Sequence, residues 1–228
     1  VQSQITALNA DYRKLNSDAS SVPSAFASLA TDVEFEFCLA QRDPSGNATN
    51  GITRTYTTVT SFSGDAVKGS SQGHVAWDRS KYLNIWVCRL SGGTLGYAYL
   101  PGTASASIDG VVIDYRYFGT TGTAISPFDK GRTATHEIGH WFNLEHIWGD
   151  SNCGNDQVSD TPIHNTANYG CPSQPHYSTC SGQPREMTMN YMDYTDDACM
   201  YMFSSGQKTR MRAVLTTGGA RASLATSN

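Results

Sequence analysis

His136, Glu137, His140 and His146 bring three imidazoles and one carboxylate into a single short run, a set able to bind a metal ion and move a proton. On an α-helix, positions i and i+4 share a face, so His136 and His140 can aim two imidazoles at one metal ion. Glu137 reaches the same side, close enough to hold a water but not placed as a third ligand. His146 stands six residues after His140, too far along a straight helix to return to the same point, so the chain must turn between them. Asn143 can make that turn, because asparagine is second to glycine in entering the left-handed region that ends a helix. Three imidazoles and one water make an open tetrahedral zinc site with Zn–N of ~2.0–2.1 Å. The open position marks a catalytic metal, and the adjacent carboxylate supplies a general base, so the expected chemistry is metal-assisted hydrolysis. A lone His-Glu-x-x-His run can arise by chance; the third histidine and the turn residue lift this one above that. A structural zinc would draw on cysteines and have no need of Glu137.

The rest of the chain supplies the elements that must hold these groups. Ile5, Leu8, Tyr12 and Leu15 recur at helical spacing, predicting an amphipathic helix over about 3–16. Val33-Glu34-Phe35-Glu36-Phe37 alternates, predicting a half-buried strand over 33–40, and Asp43-Pro44-Ser45-Gly46-Asn47 reads as a turn. The apolar run 82–90 suits a central strand. Short strands are expected at 95–100 and 110–115. The histidine helix should cover about 131–143. Residues 147–186 lack periodicity, and a structureless stretch of that length is functional or cross-linked. A last helix is expected from about Ser204 to Thr216, capped by Ser204 or Ser205 and stopped by Gly218-Gly219.

The 228 residues suffice for one domain with a full core. A net charge of −4 argues against a nucleic-acid or polybasic membrane role, and no run approaches the ~18–20 apolar residues of a membrane span. Val1 opens directly into polar sequence, which reads as a mature domain without its targeting and pro-segments. Charged residues are only 16 % while Ser, Thr, Gly and Asn abound, as in secreted enzymes. None of the six cysteines shows C-x-x-C spacing, so a disulfide-stapled region in an oxidising compartment is the better account. Asn47-Ala48-Thr49 is a glycosylation sequon. A monomer is the default expectation.

Taken with Asn190-Tyr191-Met192-Asp193-Tyr194, the histidine run resembles the metzincin metallopeptidases, in which a methionine turn lies beneath the zinc. Met192 is the matching residue; the other methionines nearby read as core packing. Closer still, the chain is similar to the pappalysins. The matching segments are Tyr82 to Val87, Leu95 to Ala98, Asp109 to Val112, His136 to Gly149, Ser159 to Pro162 and Asn190 to Cys199. Asn143 stands where the common pattern has glycine. An astacin-like or snapalysin-like branch is the nearest competitor, and Ser159-Asp160-Thr161-Pro162 with the cysteine spacing favours the pappalysins. From another class, a catalytically silent peptide-binding domain would have lost the base or a ligand, and neither is lost.

The resemblance implies an α+β, two-lobed catalytic domain over 1–228. Residues about 1–146 would carry a mixed twisted sheet with an antiparallel edge strand, a backing helix and the active-site helix. Residues about 147–228 would form an irregular lobe with one C-terminal helix. It implies a secreted zinc endopeptidase made as a zymogen. Tyr194 would stabilise the oxyanion, or be a buried structural tyrosine. Cys153–Cys180 and Cys171–Cys199 would pair; Cys38 and Cys88 could form a third bridge or stay as buried free thiols. Asp156, Asp160 and Thr161 match calcium positions of the family, or form an ordinary polar loop. Leu95, Gly96, Tyr97 and Ala98 would be the edge strand on which an extended peptide substrate pairs. Asp197 would lie at the base of the pocket for the residue after the cut, favouring Arg and then Lys, or belong to a solvated acidic turn.

Overall fold

The computed structural model describes residues 1–226; Ser227 and Asn228, the last positions of the 1–228 range, lie outside the described residues. The first helix, α1, spans Gln2–Tyr12 and buries Leu8 and Tyr12. It stops short of the expected end. The Tyr12 carbonyl accepts from the Val33 amide at 2.8 Å, Lys14 adopts φ +52°, and Leu15 is left 74 % exposed. An incoming segment therefore takes the place of another helical turn.

That incoming segment is 33–40, where a strand was expected. Its burial alternates as the sequence predicts, with Val33 and Phe35 buried and Glu34 and Glu36 exposed, but it joins no ladder. Glu34 takes φ +65°, and the Asn9 side chain occupies both polar groups of Phe37. It accepts from the amide at 2.7 Å and donates to the carbonyl at 2.9 Å. One amide side chain replaces the neighbouring strand that the pattern alone would call for.

Three strands form one mixed sheet: β1 (Ile85–Cys88), β2 (Gly96–Ala98) and β3 (Val111–Asp114), in the order β1-β3-β2. β3 pairs parallel with β1, Ile85 opposite Val111, and antiparallel with β2, Tyr97 opposite Val112. The run 82–90 is thus not central. β1 is an edge among the described residues and leaves Val87 42 % exposed. The central strand is β3, because both of its faces are covered. Val111 and Ile113 join the core shared with the helices, while Val112 packs with Trp86, Phe62 and Val67 on the other side.

The histidine helix, α2 (Arg132–Trp141), packs against α1, β2 and β3. Its residues are nearly all buried, which places it in the interior rather than on the surface. The last helix, α3 (Ser205–Ala213), begins with a reciprocal cap: Ser204 Oγ accepts from the Gln207 amide, and the Gln207 side chain accepts from the Ser204 amide. Between α2 and α3 the chain is irregular apart from a short 3₁₀ turn at Asp197–Cys199. Cys153–Cys180 and Cys171–Cys199 are bridged there. Cys38 and Cys88 form no third bridge; both are free, and Cys38 is exposed rather than buried. No helix among the described residues is long and apolar enough to cross a membrane.

Candidate active site

The start of α2 is held from three sides. The Asp197 carboxylate accepts from the amides of Lys130 at 2.7 Å and Arg132 at 3.2 Å, which suits an anion at a helix N-terminus. The buried Arg132 guanidinium donates to Asp18 at 2.6 Å and to the Asp197 carbonyl. From α1, Asp11 accepts from Thr135 Oγ1 at 2.7 Å and from the Tyr191 hydroxyl at 2.8 Å. Burial pushes the Asp11 carboxyl up to about 6 against the pull of Arg132. At the other end Asn143 adopts φ +77°, and its carbonyl accepts from Arg210 of α3 at 2.5 Å. The left-handed residue expected between the second and third histidines is in place.

With both ends set, the three imidazoles converge. His140 Nε2 lies 3.0 Å from His136 Nε2 and 3.1 Å from His146 Nε2. A tetrahedral ion with bonds of ~2.0–2.1 Å spaces its ligands about 3.3 Å apart. Each opposite ring nitrogen has its own partner: Nδ1 of His136 the Tyr191 carbonyl at 2.7 Å, of His140 the Leu144 carbonyl at 2.7 Å, and of His146 the Asp150 carboxylate at 2.5 Å. That pattern leaves all three Nε2 lone pairs pointing at one another. Burial lowers the His136 pKa well below its ordinary range and that of His140 to about 4, so both rings are neutral ligands at physiological pH. The residues fit zinc.

Glu137 is buried beside them, and desolvation pushes its carboxyl up to about 8. A dication close by acts in the opposite direction. β2 crosses directly over this residue: a Cβ at Gly96 would lie 3.0 Å from Glu137 Cγ and 2.8 Å from Ile113 Cδ1. Gly96 therefore lets the edge strand approach the glutamate. Met192 is fully buried beneath the helix, and its carbonyl accepts from the Ile147 amide at 3.1 Å just past His146. The Tyr194 ring stands 4.9 Å from His146, 5.5 Å from His136 and 4.8 Å from Trp148. It is 40 % exposed, so it is not a buried structural tyrosine, and partial burial raises its hydroxyl to about 12.

Asp197 is 1 % exposed, which rules out a solvated turn. One carboxylate oxygen serves the head of α2, and the other has no hydrogen-bond partner among the described residues. The three oxygen donors expected for calcium divide. Thr161 Oγ1 donates to both Asp156 oxygens at 2.8 and 2.9 Å and lies 2.8 Å from the Val158 carbonyl. These groups border a cavity of about 380 Å³. Asp160 turns away to accept from Ser204 Oγ at 2.6 Å and the Gly206 amide at 2.8 Å, at the head of α3.

Sequence reasoning missed Asp150 and the Tyr191 and Leu144 carbonyls. Asp150 had a signal, since it stands four residues after His146. The carbonyls had none, because any residue supplies one.

The comparisons with known proteins follow the same lines. The family profile described as pregnancy-associated plasma protein-A matches residues 68–216, from before β1 to past α3. Mature mirolysin of Tannerella forsythia in complex with a cleaved peptide superimposes with a TM-score of 0.95 at 50 % identity, covering 98 % of this chain and 87 % of that one. The promirolysin of the same organism, a mutant, superimposes with a TM-score of 0.95 at 50 % identity, over 98 % of this chain and 76 % of that one. An extracellular metalloprotease of Pyricularia oryzae is 42 % identical over 59 % of this chain and 48 % of its own length. The chain thus spans about half the length of that relative. The fold is mirolysin-like and metzincin. Since the profile spans the zinc helix and the methionine turn, and half the residues are shared with mirolysin over nearly the whole chain, this chain belongs to the pregnancy-associated plasma protein-A family of peptidases.

Proposed function

We infer that this chain is the catalytic domain of an extracellular zinc endopeptidase, with residues about 1–146 and 147–228 as the two walls of its cleft. The observation that carries the reading is the meeting of three Nε2 lone pairs with a buried Glu137 directly under Gly96 of the edge strand. Relatives named extracellular metalloproteases, and a mirolysin complex with a cleaved peptide, support the same activity and location. The existence of a promirolysin supports synthesis as a zymogen.

Zinc, when bound, supplies a Lewis acid and an acidified water. The peptide lies extended along β2, exchanging main-chain hydrogen bonds with its free edge. Glu137 takes the proton from the attacking water and returns it to the leaving amine. The Tyr194 hydroxyl donates to the oxyanion. Asp197 offers its unoccupied oxygen to a basic side chain directly after the cut, arginine before lysine, because a guanidinium matches a carboxylate's geometry. Asp156, Thr161 and the Val158 carbonyl, all hard oxygen donors, would hold calcium, which would steady the loop beyond the zinc helix.

Cleavage of a proteome-derived peptide library tests the reading, with Glu137→Ala as the control. The expected outcome is cuts before Arg and Lys made only by the wild type, while the variant keeps its zinc. Equal turnover by Glu137→Ala would remove the residue from its role. Cuts with no basic preference, or a preference that survives Asp197→Ala, would leave the peptidase standing and remove Asp197 as the selector.

A further inference from the structure

We propose that Tyr169 forms the rim of the substrate cleft beyond the scissile bond and packs against the second residue after the cut, favouring an aliphatic or aromatic side chain. The inference rests on the cleavage reading above.

Tyr169 is 72 % exposed, and its hydroxyl has no hydrogen-bond partner among the described residues. An isolated exposed tyrosine needs no explanation, but this one is held on both sides. Before it, the Asn168 amide donates to Asp193 Oδ1 at 2.8 Å, and the Asn168 side chain donates to Asp193 Oδ2 at 3.0 Å and Glu186 Oε2 at 2.8 Å. After it, the Gly170 carbonyl accepts from the Asp196 amide at 2.9 Å, and Cys171 is bridged to Cys199. These ties lead to the two turns that carry Tyr194 and Asp197. The backbone is fixed while the ring faces solvent.

The ring also continues the site. It lies 6.0 Å from the Tyr194 ring at 51°, and Tyr194 in turn lies 4.9 Å from His146. An aromatic surface therefore runs outward from the third ligand through Tyr194 to Tyr169. Depth assigns the positions along it. Asp197 is buried, at 1 % exposed, and in the cleavage reading above it takes the long basic side chain directly after the cut. Tyr169 is on the rim, where it meets the next side chain lying along the surface. Tyrosine gives a large apolar face with little rotamer freedom to lose, which makes it an effective peptide contact.

The test profiles zinc-loaded wild type, Tyr169→Ala and Tyr169→Phe on one peptide library, then measures kcat and KM on a peptide with leucine at the second position after the cut. Zinc content and Tm report folding. The expected result is a flattened preference at that position in Tyr169→Ala only, with KM raised about ten-fold, the scale of a lost apolar contact, and kcat within about two-fold. Tyr169→Phe keeps the preference, and the preference for a basic residue directly after the cut persists in all three. Profiles that superimpose at the second position overturn the inference. So does a fall in kcat with KM unchanged, which would mean that Tyr169 acts through Tyr194. Binding of the same peptide to Glu137→Ala, with and without Tyr169→Ala, reads the contact without turnover. Equal affinities overturn the inference, whereas wild type that binds and does not cut overturns the cleavage reading alone.

Discussion

The α-carbon of Gly139 faces the sulfur of Met192 so closely that a Cβ would lie 2.6 Å from Sδ and 3.5 Å from Leu144 Cδ1. Gly139 stands in the last turn of α2, one residue before the second histidine, where glycine costs up to about 1 kcal/mol relative to alanine. On propensity alone Gly139→Ala should stabilise. Packing predicts the reverse, because Met192 is fully buried and must be displaced. The expected loss is about 1–3 kcal/mol, with Tm falling roughly 2–4 °C per kcal/mol at this chain length. Thermal unfolding of the zinc-loaded protein checks the sign; an unchanged or raised Tm would mean that the methionine turn yields easily.

Asp150 and His146 form a second such pair. The Asp150 carboxylate lies 2.5 Å from His146 Nδ1, presented by a turn in which Gly149 and Asp150 take φ of +61° and +54°. The carboxylate fixes the ring so that Nε2 carries the lone pair. Asp150→Ala should weaken zinc affinity about 10–100-fold, measured by competition with a chelator of known affinity. Asp150 is 61 % exposed at its side chain, so stability without zinc should change little. Unaltered zinc affinity would reduce the contact to a surface pair.

Asp156 makes the proposed calcium dependence a function of pH. Burial raises its carboxyl from 3.8 to about 6. The folded state then holds more protons than the unfolded state between those values, so this group's contribution favours folding at low pH and declines as pH rises through 6. A calcium ion favours the ionised form and reverses that trend. The increase in Tm on adding calcium, with zinc kept saturating, should be larger at pH 7.5 than at pH 5, values chosen to bracket the shifted titration of about 6. Equal shifts, or none, would remove Asp156 from the site.

Near the C-terminus, Arg221 fastens the chain beneath the zinc helix. Its guanidinium stacks 3.6 Å from the Trp141 ring, donates to the Trp141 carbonyl at 2.7 Å and meets both oxygens of Asp109 at 3.0 Å. Trp141 Nε1 donates to the same carboxylate at 2.7 Å. Removing one partner from a buried pair costs about 3–5 kcal/mol. Arg79, also 2.8 Å from Asp109, offsets part of that. Arg221→Ala should therefore lower stability by about 2–4 kcal/mol in urea unfolding, and Arg221→Lys should be intermediate because it keeps the charge and loses the planar stack. A change below ~0.5 kcal/mol for Arg221→Ala would be that of an ordinary surface site.

The chemistry was legible because it is local. The spacing of His136, Glu137, His140 and His146 and the turn at Asn143 depend on helical periodicity and on one residue's tolerance of positive φ, properties that a chain carries before it folds. Resemblance supplied what periodicity does not: the methionine turn at Met192 and the pairing of Cys153 with Cys180 and Cys171 with Cys199. The end of α1, the extended but unpaired course of 33–40 and the edge position of β1 were not legible. Each depends on which distant group reaches a backbone donor or acceptor first: Val33 at the Tyr12 carbonyl, the Asn9 side chain at Phe37, β3 between the other two strands. Free Cys38 and Cys88, the parting of Asp160 from Asp156, and the attachments of Asp150, Tyr169 and Arg221 belong to the same class. Residue type and spacing along the chain select the side chains able to bind a metal and move a proton. How they are held is settled in three dimensions, because a polar group takes the partner nearest in space, and nearness across tens of residues is set by packing.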